Sequence, residues 1–154
     1  MALPPLEVAI ALPGGFEFGG IGRMMMYATA AWQRSAAGPR WRLLDTRGPG
    51  SLWWSPWYLL RAMAELARRR PDVLHVNVAG RGSTARKLLL GEVAWRLGVP
   101  MVVHLHDYDY AQDVEARRPA VRRAVQRLFQ RARIVVVLGQ RDRATVEGLL
   151  GVRR

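Results

Sequence analysis

The chain has 154 residues, half of them hydrophobic, with 24 basic against 12 acidic side chains, a formal charge of +12 and no cysteine. That length suits one compact domain with a proper core rather than two, and the lack of cysteine excludes disulfides, thiolate zinc sites and cysteine nucleophiles and fits a reducing compartment. The charge invites an anionic partner, nucleic acid or membrane, although every basic residue but Lys87 is arginine, a skew that genome composition alone can produce.

"LEVAIAL" (6–12) reads as the first strand. No basic leader precedes it and Glu7 interrupts it, which argues against a secretory signal, and no apolar run in the chain is long enough to span a bilayer. Gly14, Gly15, Gly19 and Gly20 then crowd before a helical pattern over 21–36, with Gly22 at its start. Glycine there lets the backbone approach a ligand and adopt positive φ, while the free N–H groups and dipole of the helix start attract an anion, a phosphate or diphosphate above all. The spacing is neither a dinucleotide GxGxxG nor a P-loop, and a plain flexible turn is the other reading. Arg23, in the first helical turn, is poorly placed for the dipole and reads as an anion contact or a solvated side chain.

The second strand is "WRLLDT" (41–46), followed by the linker-like "TRGPGSLWWSP" (46–56) and a helix over 57–70. Two readings of "SLWWSPWYLLRAMAELARRR" (51–70) stand. In one, Leu59, Leu60, Met63, Leu66 and Ala67 cover the sheet and the tryptophans fill the loop above it. In the other, aromatic and basic residues together meet an anionic membrane surface.

"DVLHVNV" (72–78) is the third strand and "AGRGSTARK" (79–87) opens a helix over 83–97. Ser83 or Thr84 is the expected N-cap, and Arg81, Arg86 and Lys87 surround it with positive charge. This is either a capped helix with basic decoration or a second pocket for an anion or a hydroxyl-rich ligand.

The fourth strand, "VPMVVHLH" (99–106), runs into "DYDY". Alternation puts Val102, His104 and His106 on one face. His104 lies deeper and reads as a satisfied buried histidine. His106, at the strand end, is the candidate to hydrogen-bond a substrate hydroxyl or to act with Asp107 or Asp109. A metal site from His106, Asp107 and Asp109 lacks support from any ligand pair at helical spacing, and a serine triad lacks its nucleophile elbow. A helix over 115–131 follows, with an apolar stripe of Val121, Ala124, Val125, Leu128 and Phe129 opposite its arginines, then "RIVVVL" (133–138) and a last helix over 140–150. The arginine run carries no RNA-binding or helix-turn-helix signature, so no nucleic-acid partner is expected.

Strand and helix thus alternate five times, which predicts an α/β, three-layer sandwich with a mostly parallel sheet. Ligands of such sheets bind beyond the carboxyl ends of the strands, where the glycine cluster, "AGRGSTARK", "HDYDY" and "GQRDR" all collect.

In order, "GGIGR", "PDVLHVNVAGRGSTARKLLL", "GVPMVVHLHDYDY" and "ARIVVVLGQRDR" resemble the amino-terminal, Rossmann-like domain of family 4 glycosyltransferases of the GT-B fold, from about residue 6 to the C-terminus. The resemblance implies a retaining transferase that moves a sugar from a nucleotide-sugar to an acceptor, lipid-linked in many relatives, in glycan or polysaccharide synthesis, without metal or other cofactor. It implies donor diphosphate at Gly19, Gly20 and Gly22, a reaction centre at His106 with Asp109, and an acceptor side formed by Arg23, Asn77, Arg81, Ser83, Arg86 and Lys87. Asp107 follows the histidine where relatives often have a small residue, and Gly139 stands where they usually have serine or threonine. Residues 1–154 correspond to one such domain, and the carboxy-terminal donor-binding domain of the family lies outside them. The expectation is that this chain alone is inactive and acts with a second GT-B domain, in cis or as a separate chain, in the cytoplasm or at the inner face of the cell membrane. A non-catalytic Rossmann-like module that binds or localises a partner chain is the alternative.

Overall fold

A computed structural model describes residues 5–17, 19–35 and 38–152. Phe18, inside the predicted glycine turn, and Ala36, the predicted end of the first helix, lie outside the described residues.

Five strands form one all-parallel sheet in the order β2-β1-β3-β4-β5. They are β1 (Glu7–Leu12), β2 (Arg40–Asp45), β3 (Val73–Val78), β4 (Met101–Leu105) and β5 (Ile134–Val136). Each falls within two residues of where its apolar run predicts it. β1 is an interior strand, with Ala11 opposite both Leu44 of β2 and Val76 of β3. The runs are apolar on both sides because both sheet faces are covered. Leu74, Val76, Val78, Met101, Val103 and Leu105 face one helix layer, while Val8, Ile10 and Leu12 face the other.

The first layer holds α2 (Ser55–Arg69), α3 (Gly82–Arg96) and α5 (Pro119–Arg131). They contribute Leu66, Leu90, Leu128 and Phe129 to the core. Phe129 is fully buried, and its truncation to alanine would cost ~3–5 kcal/mol. The second layer holds α1 (Gly19–Arg34), which places Met25 against β1.

Helix boundaries depart from the sequence reading where local chemistry intervenes. α1 begins at Gly19, two residues early. α2 begins at Ser55, because Pro56 sits in its first turn, where a missing N–H costs nothing. The helix expected over 115–131 starts late, as α5 at Pro119, and a separate short helix, α4 (Tyr110–Glu115), precedes it. Pro119 disfavours a helical conformation at the residue before it, and Arg118 is extended at φ −57°, ψ 146°. The last helix is α6 (Gln140–Ala144), continued by a π turn over Thr145–Leu149.

Candidate functional site at the strand tips

The sheet order reverses between β1 and β3, since the chain leaves β1 towards β2 on one side and continues from β3 towards β5 on the other. Such a reversal opens a crevice at the carboxyl ends of the two strands. The turn into α1, the loop after β2, the start of α3 and the tail of β4 all lie on that edge.

On the β1 side, Gly19 has φ +72° and both Gly19 and Gly20 are exposed, with open space where a Cβ would stand. The first turn of α1 holds no acidic residue, so no side chain of that turn opposes the positive end of the helix dipole. Gly22 differs: it is buried, and a Cβ there would lie 2.5 Å from the Phe16 carbonyl oxygen. It lets the helix rest against the incoming loop and has no open approach to a ligand. Arg23 is exposed and enters no ion pair among the described residues.

The turn is held by a residue that sequence reasoning missed. Oδ1 of Asp45, at the end of β2, accepts from the backbone N–H of Gly14 (2.8 Å), Arg47 (2.9 Å) and Gly48 (2.8 Å). The two local bonds form an Asx-type turn that "DTRG" could have signalled; the third, across 31 residues, could not.

Lys87 does not stand among surface charges. It is fully buried, and its Nζ donates to the Ala11 carbonyl (3.1 Å) and to Thr46 Oγ1 (3.0 Å), joining α3 to the tips of β1 and β2. Burial, and secondarily Arg86, push its pKa down to about 7, against the pull of Asp45. Arg86 itself is half-buried beside Asp45 and Arg47, and its Nε has no partner among the described residues. Burial first, then Arg47, lowers the Arg86 pKa. This underused cation at the crevice is suited to an anion.

At the start of α3 the expected cap is absent. Arg81 stands at the cap position with φ 58°, and no side chain caps from within the segment. Thr84 instead donates to Ala79 O (3.0 Å) and pairs with the Tyr110 hydroxyl (3.3 Å), while Ser83 is half-buried. Burial pushes the Tyr110 phenol up to about 12. The backbone donors are taken by distant carboxylates: Gly80 N–H by Asp107 Oδ2 (2.7 Å) and Arg81 N–H by Asp113 Oδ1 (3.1 Å). Arg117 locks this arrangement, donating to Asp113 (2.7 Å) and to the Arg81 carbonyl (2.8 Å). The anion pocket expected at "AGRGSTARK" is therefore already occupied by the chain's own carboxylates at Gly80 and Arg81, leaving the exposed Arg81 side chain at its rim.

On the remaining side of the crevice, His75, His104 and His106 form a row, with ring centroids 5.6 Å and then 3.9 Å apart. His104 is buried as expected but not satisfied, since its Nε2 has no partner among the described residues. Asn77 donates through Nδ2 to Ala11 O (3.4 Å), so its Oδ1 faces His106 Nε2 at 2.8 Å and must accept. His106 therefore carries its proton on Nε2 and offers Nδ1 as a bare acceptor. Burial, with the two neighbouring imidazoles, lowers its pKa to about 3, and His75 falls to about 4. A neutral acceptor of this kind can take a hydrogen bond from a sugar hydroxyl but cannot serve as an acid near neutral pH.

His106 lines a cleft of about 380 Å³ with Tyr108, Gly139 and Arg141. Asp109 is exposed and paired to Arg141 (3.0 Å), whose guanidinium lies 3.9 Å over the Tyr108 ring. No three histidine or acidic side chains among the described residues are placed to hold a metal ion. The larger groove, about 550 Å³ between α3 and α5, is apolar and lies on the helix layer away from this edge.

The model of one family, the glycosyl transferase 4-like domain, matches residues 7–154. No curated protein matches the chain.

Proposed function

The chain belongs to the glycosyl transferase 4-like domain family, and from that premise we propose that it forms the acceptor-side wall of a transferase cleft, moving a sugar from a nucleotide-sugar with a second GT-B domain in cis or as a separate chain. The single observation that carries this reading is the shared edge: the α1 N-terminus and His106 follow the carboxyl ends of β1 and β4, strands two spacings or about 10 Å apart in the sheet. That span suits a diphosphate at one end and its sugar at the other.

In the proposed chemistry, the bond from the anomeric carbon to the diphosphate oxygen breaks, a bond to the acceptor oxygen forms with the configuration retained, and the acceptor hydroxyl's proton passes to the departing diphosphate oxygen. Charge builds on the departing diphosphate. The α1 N–H groups of Gly20 and its neighbours, with Arg86, oppose that charge where it develops. His106 orients the sugar through Nδ1, and Asn77 fixes the tautomer that makes this possible. Asp109, exposed and neutralised by Arg141, is a weaker candidate for proton transfer than for shaping the cleft rim. Arg23, Arg81 and Ser83 remain open to an acceptor; Lys87 acts from beneath, by holding the strand tips.

Calorimetric titration with uridine and guanosine diphosphate-sugars, each beside its bare diphosphate, tests the proposal. The sugar-bearing ligand of the matching nucleotide should bind about tenfold more tightly than the diphosphate, and His106→Ala should erase that difference while leaving diphosphate binding intact. Equal binding of sugar and bare diphosphate by the unaltered chain would contradict it.

A further inference from the structure

The apolar residues of the turn into α2 are not consumed by the core. Trp53 is 91 % exposed, and Leu52, Trp54, Trp57 and Leu60 are each more than half exposed. Helical spacing explains why. Ser55, Leu59, Ala62 and Leu66 form the inner stripe of α2, so Trp57 and Leu60 point away from the sheet, followed along the same outer side by the exposed Arg61 and Arg68. Leu60 and Ala67, expected to cover the sheet, are exposed instead, and the tryptophans do not fill the loop.

A contiguous exposed apolar patch of this kind marks an interaction surface. Its chemistry narrows the partner. Protruding indole rings with arginine beside them suit the boundary between headgroups and acyl chains, where the ring is half-desolvated and the guanidinium meets phosphate. The same helix layer presents Arg118, Arg123 and Arg127 of α5 outward, and the chain as a whole carries +12. We propose that the Trp53–Trp57 turn and the basic outer face of α2 and α5 dock on an anionic bilayer.

The position of the turn gives the docking a consequence. It joins the carboxyl end of β2 to the start of α2, so it lies on the same sheet edge as the α1 N-terminus and His106. Seated in the headgroup layer, it holds the crevice against the membrane surface. The bilayer contact stands independently of the transferase reading; that the acceptor is presented by the membrane rests on that reading.

Flotation of the chain with phosphatidylcholine vesicles, with and without a minority of phosphatidylglycerol, tests the docking without any nucleotide-sugar. The chain should float with the anionic vesicles, and brominated lipid should quench its tryptophan fluorescence. The double variant Trp53→Ser, Trp57→Ser should keep its thermal midpoint, because both side chains are solvent-exposed, and should lose about tenfold in vesicle affinity together with the quenching. Arg123→Gln with Arg127→Gln should weaken only the binding to anionic vesicles. Absence of vesicle binding, undiminished binding by the tryptophan variant, or self-association through the patch without vesicle binding would each overturn the proposal.

Discussion

Two helices of this domain, α1 and α3, start from glycine-rich turns on the same edge of the sheet, and the backbone leading into them differs. At α3 the backbone donors of Gly80 and Arg81 are held by Asp107 and Asp113, with Arg117 bracing the pair. Neither first turn holds an acidic residue, and at α1 Gly19 and Gly20 are open to solvent. A helix start filled by the chain's own carboxylates is a structural joint; one left open with cations nearby is a place for a ligand's charge. Two similar stretches of sequence thus serve two different ends, and the distinction lies in residues far away along the chain.

Lys87 couples the two starts, since it belongs to α3 and grips the carbonyl of Ala11 beneath the α1 turn. Its pKa in the folded chain, about 7, is below its ordinary value near 10.5. The unfolded chain therefore binds the extra proton between those values, and stability should rise as pH climbs from about 7 towards 10 and be lower and flat beneath 7. The effect is of the order of 5 kcal/mol at most. Denaturant melts across that range should show the slope, and Lys87→Met should remove it.

Opening the α3 start comes next in size. Asp107→Ala leaves the Gly80 N–H without its charged acceptor and should destabilise the domain by about 2 kcal/mol. It should also allow inorganic diphosphate to reach residues 80–83, which the unaltered chain excludes. Closing the α1 start is the converse and the gentlest change. A side chain fits at Gly20, so Gly20→Asp should stabilise the fold by about 1 kcal/mol through helix propensity and the dipole. The same substitution should abolish diphosphate binding, a gain in stability with a loss of function. Thermal melts and calorimetry on the two variants check both halves.

Much of this architecture is legible in the chain itself. The runs at 6–12, 72–78 and 99–106 are too apolar for half-exposed strands, and their alternation with helical patterns leaves little but a covered parallel sheet. That His106 and the glycine turn share an edge follows from the same alternation. What the pattern conceals is long-range chemistry. Asp107 and Asp113 reach donors 27 and 32 residues away, and Lys87 reaches an acceptor 76 residues away. A lysine beside arginines reads as surface charge until the fold closes over it. Similarly, Leu59 and Leu60 are indistinguishable by composition, yet one is buried and the other faces outward, because only the phase of α2 separates them. Gly22, grouped with Gly19 and Gly20 by sequence, is set apart by the Phe16 carbonyl pressed against it.

The contrast between the two helix starts is tested most directly by mapping backbone amide shifts during titration with inorganic diphosphate. Saturable shifts are expected at Gly19, Gly20 and Ile21, accompanied by the Arg86 side chain, while Gly80 through Ser83 stay unmoved. Shifts centred on the α3 start, or a diffuse response over the arginine faces with none at the α1 start, would contradict it.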